Sequence, residues 1–495
     1  MKSTVMDQEQ ANIAALQPLL TDMGEHLDSF LTFEHTDALC KIKDWKAALD
    51  KDMPLLGIGA QQTLEEMNQH VIPNGSAIPN PGCTSFITTG ATNIGVLANL
   101  AATVASPQRI GLTAFNYLEE KSLSWMAELF SLPSHMQGVY SSGGSVANIL
   151  GLGAARQVAF ERIGVDPAED GIHRPCRIYA TKLSHHTIHR ACAVLGLGRK
   201  SVVTIVSDHM GRMLPHALAA QIQQDIKLGL LPVAVVVNAG ATSTGAIDPI
   251  DLIANISQQF DLWLHVDGAY GLPGILDPEI RPLYKGIEKA DSVTVDPHKW
   301  LGAPVGIGAT FVRDRNILQR AFNQGPSDYL EGSVNCDEHH HSMDSLGIPY
   351  SDFGVELSAP ARGAVVWALL REIGKQGLQA RICRHNAMAK YIAQRAKQHP
   401  NLELLLMPTL SICCFRYITN EHTDLNQLNN AIHRQLVRNG QNIPSTAMVD
   451  GKLAIRPCFV GARTDWQHAQ ALVDEVLEIG KNLKPQPHYS TSAKA

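Results

Sequence analysis

The spacing of apolar residues changes three times along the chain. In the first ~80 residues they recur at helical intervals, as in Ile13, Leu16, Leu20, Met23, Leu27 and Leu31, which predicts helices joined by loops. The run Ile72 to Gly82, rich in proline, glycine and asparagine, breaks that pattern and marks a boundary. From about 86 to 312 short, continuously apolar segments alternate with amphipathic ones. Strands are expected at Arg177–Ala180, Val202–Val206, Val233–Val237, Leu262–Val266, Ser292–Val295 and Ile307–Val312, with helices such as His216–Leu228 and Leu252–Phe260 between them. Unbroken apolar strands separated by helices predict a mainly parallel sheet covered on both faces. Beyond about 370 the pattern turns to long helices, Ala364–Ile373 and Leu378–Gln398, with a few strands. The last helix opens at Thr464-Asp465-Trp466-Gln467, read as a capping box. The expected division is a helical segment over 1–80, a large α/β domain over 81–370 and a small α+β domain over 371–495, ending in a polar tail.

Composition narrows the function by exclusion. A chain of 495 residues has room for several domains, and 45% hydrophobic residues supply an ordinary core. The net charge of −6 is spread along the chain without a basic block, which argues against nucleic acid or a polybasic membrane contact. The polar start gives no sign of a signal peptide, and no apolar run approaches the ~20 residues that span a bilayer. The nine cysteines are scattered with no C-x-x-C, which suits reduced thiols in a cytoplasm, and adjacent Cys413 and Cys414 read as a buried strand pair.

Three stretches carry chemistry. In Ser292-Val-Thr-Val-Asp-Pro-His-Lys-Trp300 a strand ends, a proline stops it, and Lys299 follows at its carboxyl end, where open α/β sheets bind ligands. A lysine partly desolvated there is a nucleophile toward an aldehyde; on its own it reads equally as a solvated surface lysine. In Leu262-Trp-Leu-His-Val-Asp-Gly-Ala-Tyr270 a second buried strand ends at Asp267, 32 residues before Lys299. A buried acid needs a cationic or hydrogen-bonding partner, and a protonated pyridine nitrogen is one; a turn cap is the plainer use. Gly268 and Ala269 leave room for a flat ring. In Ser141-Ser-Gly-Gly-Ser-Val-Ala-Asn148 the glycine turn before a helix offers Gly143, Gly144 and Ser145 to an anion such as a phosphate.

Taken together, Pro-His-Lys-Trp and His-Val-Asp-x-Ala-Tyr resemble the pyridoxal-phosphate (PLP)-dependent group II amino-acid decarboxylases, and the resemblance runs from about Pro81 to Arg463. It implies the fold of PLP-dependent transferases (aspartate aminotransferase-like, fold type I), PLP as cofactor, a homodimer built partly by the N-terminal segment, and decarboxylation of an L-amino acid. Lys299 then holds the cofactor's aldehyde and Asp267 its pyridine nitrogen. Gly143, Gly144, Ser145 and His298 surround the phosphate, and Ala269 lies against the ring. His185, in Ser184-His-His-Thr-Ile-His-Arg-Ala191, stacks on the ring, with His186 its competitor if the loop shifts by one. Read without the resemblance, His185, His186 and His189 are a candidate metal cluster, weakened by the lack of a cysteine or carboxylate at ligand spacing. Thr242 approaches the cofactor and the reacting carboxylate. Thr89 contacts substrate and cofactor, and Arg362 the substrate carboxylate. The aperiodic stretch Gly325–Tyr350 reads as a lid, and the resemblance, through Tyr329-Leu330, implies that Tyr329 reprotonates Cα.

Two positions depart from the pattern. Asp296 stands where animal members often carry asparagine. A carboxylate there repels a phosphate unless it points away, so it is given no role. Phe86 replaces the glutamine of glutamate-type members, and Ile87-Thr88 replaces the Phe-Pro of aromatic-type members. The lean is toward an aromatic or bulky substrate with Phe86 as a pocket wall; an acidic or diamino acid is the alternative. An aldehyde synthase or carbon–carbon lyase of the same fold, and a non-catalytic scaffold, are the rivals.

Overall fold

A computed structural model describes residues 16–33, 42–88, 90–107, 109, 111–323 and 347–483. The chain divides into two compact units, 1–83 and 84–495. The first holds helices α1 (Leu16–Phe30), α2 (Ile42–Leu49) and α3 (Ala60–Glu66), the last running on into a wider turn over Met67–Val71. Within it Asn68 donates to Asp22 (3.2 Å).

The second unit is organised by a seven-stranded sheet. Its helices are α4 (Asn93–Ala105), α5 (Ala114–Leu129), α6 (Gly144–Glu161), α7 (Thr187–Val194), α8 (Pro215–Lys227), α9 (Ile250–Gln259) and α10 (Arg315–Phe322). The strands are β1 (Gln137–Ser141), β2 (Cys176–Thr181), β3 (Val202–Ile205), β4 (Leu231–Asn238), β5 (Trp263–Asp267), β6 (Ser292–Val295) and β7 (Gly308–Val312), in the order β1-β7-β6-β5-β4-β2-β3. Pairings from β6 through to β3 are parallel, and β7 runs antiparallel to both its neighbours. Every residue of β5, β6 and β7 is buried, which is why these strands read as continuous apolar runs rather than alternating ones. Six strands lie within a residue or two of their expected places. β1 was not expected: Gln-Gly-Val-Tyr-Ser lacks the apolar continuity of the others.

Register is what builds the site. Asn238 of β4 pairs with Asp267 of β5, and Asp267 pairs with Thr294 of β6. Three strands therefore end side by side, and the chain leaving β6 carries Asp296, His298 and Lys299 across that same edge.

After α11 (Arg362–Gln398), broken at Gly374 (φ 65°) between the two helices expected there, comes a smaller antiparallel sheet. In it β8 (Leu402–Leu406), β9 (Cys414–Tyr417), β11 (Lys452–Arg456) and β10 (Ile443–Val449) lie side by side in that order. Helices α12 (Leu425–Asn439) and α13 (Trp466–Asn482) close a second core around Met388, Phe415, Ile432 and Leu472. Cys413 belongs to this core and Cys414 to the main one, as neighbours on opposite faces of a strand must. The box at α13 sits one residue later than the sequence suggested: Asp465 is the cap and His468 its reciprocal partner, because the short aspartate accepts the Trp466 N–H (2.7 Å) while the His468 ring accepts the Asp465 N–H (3.0 Å).

Candidate active site

A cavity of about 330 Å3 opens at the carboxyl ends of β4, β5 and β6 and the amino end of α6. Gly143, Gly144, Ser145, His185, Thr242, Asp267, Ala269, His298 and Lys299 all line it. Residues up to 156 positions apart in sequence thus meet in one concave, polar-edged space, the usual setting of a small-molecule site.

Asp267 forms the deep wall. It is 8% exposed, and its two oxygens are divided between donors. Oδ1 accepts the Ala269 N–H (3.2 Å) and the Thr294 hydroxyl (3.5 Å), and Oδ2 accepts Asn148 Nδ2 (3.2 Å). The carboxylate is held rather than merely buried, with its plane set by groups on β6, α6 and its own turn. Gly268 serves a different purpose from the one its sequence suggested. A Cβ there lies 2.9 Å from the Thr294 carbonyl and 2.8 Å from Leu272, so the glycine permits packing below the strand, and Ala269 is the residue that faces the cavity.

The opposite end is crowded with charge. Lys299 Nζ lies 2.9 Å from Asp296 Oδ2, which also accepts the Gly144 N–H (3.0 Å) at the start of α6. The His298 ring stands near the same oxygen (3.8 Å), and its Nδ1 donates to the Ile307 carbonyl (2.6 Å). Burial pushes the His298 pKa below its usual value; Asp296 opposes the shift and Lys299 adds to it. Asp296 is 1% exposed, and its Oδ1 is without a hydrogen-bond partner. The carboxylate that the sequence left without a role therefore faces the anion cradle instead of turning away from it.

His185, not His186, reaches the cavity. The two rings are 4.2 Å apart, and His186 and His189 are exposed. Burial lowers the His185 pKa, against the pull of Asp267. Its Nδ1 meets the Thr187 hydroxyl at 2.8 Å. Among the described residues no group of histidine, cysteine or carboxylate side chains has a metal-holding arrangement, so the three histidines are not brought together as ligands.

The substrate-side residues behave differently. Thr89 and Tyr329 lie outside the described residues, as do His339, His340 and His341. Phe86 is 61% exposed and does not line the cavity. Nor does Arg362, because its guanidinium is engaged: both terminal nitrogens pair with Glu356 (2.8 and 3.0 Å), and Nε donates to the Gly306 carbonyl (3.0 Å). The arginine that the sequence reading missed is Arg456, at the end of β11. It is 5% exposed and donates to the carbonyls of Ser85 (3.2 Å), Thr242 and Ser243 (3.4 Å), tying together the segments that flank the cavity. A lone Arg-Pro after a short strand gives no local cue to that reach.

The chain matches the profile of the pyridoxal-dependent decarboxylase conserved domain over residues 43–418. It is 27% identical to an aromatic-L-amino-acid decarboxylase of Bacillus atrophaeus over 94% of this chain and 92% of that one. An acidic amino acid decarboxylase of Xenopus tropicalis is 32% identical over 61% of this chain and 58% of its own. Among solved structures, Oryza sativa TDC with PLP and tryptamine superposes with a TM-score of 0.83 at 22% identity, covering 94% of this chain and 96% of that one, a likeness of fold.

Proposed function

The chain belongs to the pyridoxal-dependent decarboxylase family, and from that premise we propose that it converts an L-amino acid to the corresponding amine and CO2, a proton taking the place of the carboxyl group. The observation that carries this reading is the convergence of Lys299, Asp267, His185 and the amino end of α6 on one cavity. The donor set fits pyridoxal 5'-phosphate: an amine for its aldehyde, a fixed carboxylate for its ring nitrogen, and amide and imidazole donors for its phosphate. When bound, that group supplies an aldehyde for amines and a conjugated ring that accepts the electron pair of a bond broken at Cα.

The chain's own residues do the rest. Lys299 would hold the cofactor through its amine, the group that lies 2.9 Å from Asp296. Asp267, anchored by three donors, keeps a proton on the ring nitrogen, so the site stabilises negative charge that develops during the reaction without reorganising. His185, on the cavity wall, would lie over the ring. Gly143, Ser145 and His298 would take the phosphate, with Gly144 joining them if its amide leaves Asp296; Thr242 would face the reacting carboxyl group, and Tyr329 would return the proton to Cα.

The substrate is taken to be aromatic or otherwise bulky, in line with the aromatic-L-amino-acid decarboxylase that aligns over nearly the whole chain. The match to an acidic amino acid decarboxylase keeps that alternative in the test. The protein is read as a cytoplasmic homodimer. Supporting the dimer, Met53 and Leu55 of the N-terminal unit are almost fully exposed. The three-part division at about 80 and 370 is retained, supported by the separate core around α12 and α13. Incubation with single L-amino acids, including 2,4-diaminobutyrate and cysteine sulfinate, and quantification of amine and CO2 tests the reading. Amine from an aromatic substrate is expected; amine from acidic substrates alone corrects the specificity, and no CO2 from any of them overturns the activity.

A further inference from the structure

Behind Asp267 lies a chain of buried polar groups that the activity leaves unexplained. Trp263 Nε1 meets Ser292 Oγ at 2.7 Å, Ser292 Oγ meets His265 Nδ1 at 2.7 Å, and His265 Nε2 meets Asn148 Oδ1 at 2.9 Å. Asn148 Nδ2 then reaches both Asp267 Oδ2 (3.2 Å) and Thr187 Oγ1 (3.0 Å). All of these groups are almost fully buried, and His265 and Ser292 are wholly so. Polar groups in a sheet core of valines are costly unless each is satisfied, so this line needs a reason.

The direction of every bond can be fixed. An indole N–H only donates, so Ser292 Oγ accepts from Trp263; Asn148 turns its NH2 to Asp267 and its oxygen to His265 Nε2, so in a neutral ring Nδ1 is the acceptor and takes the Ser292 proton. The imidazole proton must then sit on Nε2 and point at Asn148 Oδ1. The amide can face no other way, because its opposite orientation sets an oxygen against the Asp267 carboxylate. Both amide protons therefore go forward, one to Asp267 and one to Thr187, whose hydroxyl is left to donate to His185 Nδ1 (2.8 Å). The ends of the chain are the carboxylate beneath the cofactor site and the imidazole above it.

We propose that His265 and Asn148 are positioning residues: a one-way hydrogen-bond relay from Trp263 through Ser292, His265 and Asn148 keeps a donor on Asp267 Oδ2, holding the carboxylate toward the ring nitrogen, and fixes the tautomer of His185. The relay requires a neutral His265, and burial, opposed by Asp267, lowers its pKa to about 4. It also requires space in α6. A Cβ on Gly151 falls 2.5 Å from His265 Cε1, so the helix passes over the imidazole only with a glycine there. The inference rests on the reading of Asp267 as the partner of the cofactor's ring nitrogen. If the donor on Oδ2 is lost, the carboxylate is held by two donors instead of three, and the ring nitrogen loses a fixed acceptor for its proton.

The nitrogen can be observed directly. Protein loaded with pyridoxal 5'-phosphate labelled with 15N in the ring is examined by NMR, and reductive fixation to Lys299 is measured in parallel. Wild type and His265→Gln, whose side-chain amide can still donate to Asn148, are expected to show a protonated nitrogen. His265→Leu is expected to shift the resonance to the unprotonated position, with the cofactor still attached and turnover reduced by more than about tenfold at nearly unchanged KM. If His265→Leu does not fold, Ser292→Ala keeps the ring in place and removes the bond that sets its tautomer, together with the acceptor of the Trp263 N–H; a partial shift is then expected. An unshifted resonance in folded His265→Leu, or in Ser292→Ala where that variant decides, overturns the relay. Failure of wild type to hold the cofactor on Lys299, or to protonate its nitrogen, overturns instead the reading of the site on which the relay depends.

Discussion

The two sides of the cavity are built by different means. The cofactor side is made at strand ends whose register fixes neighbours: Asn238 beside Asp267, Asp267 beside Thr294. Asp267 and Asp296 are buried there, and His185, His298 and Lys299 are half-buried, each with a polar partner. The substrate side was expected from Phe86, Thr89, Tyr329 and Arg362, and of the two that are described, Phe86 and Arg362, neither lines the cavity. Phe86 is exposed, Arg362 is bound to Glu356, and the other two lie outside the described residues. The contrast separates two kinds of information. The reaction type is written into the sheet, where a single misplaced residue costs core packing. Substrate choice is left to connecting segments, which can change without disturbing the sheet.

The sharpest way to break that contrast is at Asp267. Asp267→Ala should lower turnover by at least ~10²-fold while leaving reductive fixation to Lys299 intact, since it removes a preorganised charge and not the amine. Turnover near wild type would make the acid a turn cap and remove the cofactor side's distinction. Next in size is Tyr329→Phe, which should leave substrate binding and CO2 release in place while part of the product changes from amine to aldehyde, with oxygen consumed and ammonia released. Unchanged amine yield without oxygen uptake would exclude Tyr329 and reopen His339, His340 and His341.

The cofactor side should also be linked to fold stability through pH. His265 has its pKa lowered from the usual 6.5 to about 4, so the unfolded chain takes up a proton before the folded one does. Stability contributed by the neutral ring is full above pH 6.5, declines as pH falls toward 4, and changes no further below that, a loss of about 3 kcal/mol from this group. His385, lowered by burial to about 3, acts in the same direction. Chemical denaturation of wild type and His265→Gln across this range checks the sign: the variant should lose part of the slope, and an equal slope would assign the acid sensitivity elsewhere. The smallest effect is expected on the other side, at Phe86. Phe86→Ala should alter selectivity between aromatic and acidic substrates by no more than about threefold, as for an exposed position. A larger change measured by competing substrates would bring Phe86 into the pocket of an assembled dimer.

The strands and the reactive residues were legible because each carries a local signature. Val233–Val237 is unbroken valine and alanine, and Lys299 follows a proline that ends a strand. His185 and His186 could not be separated by sequence, since one residue of loop register decides which ring is exposed. Asn148 was visible only as the end of a glycine motif; its importance comes from His265 and Asp267, more than a hundred residues away. Asp296 was set aside on a correct electrostatic premise, but the Gly144 amide and Lys299 supply partners that the premise did not include. Arg362 failed to reach the cavity because Glu356, six residues earlier, offers both carboxylate oxygens to it. In each of these cases the deciding partner lies on another segment or in a loop whose path the sequence pattern does not specify.

The account depends most on Lys299. Borohydride reduction of the cofactor-loaded protein, followed by proteolysis and mass mapping, should place one reduced pyridoxyl group per chain on the peptide containing Pro297-His298-Lys299-Trp300, with Lys299→Ala unlabelled. A label on any other lysine, or equal labelling of Lys299→Ala, would contradict it.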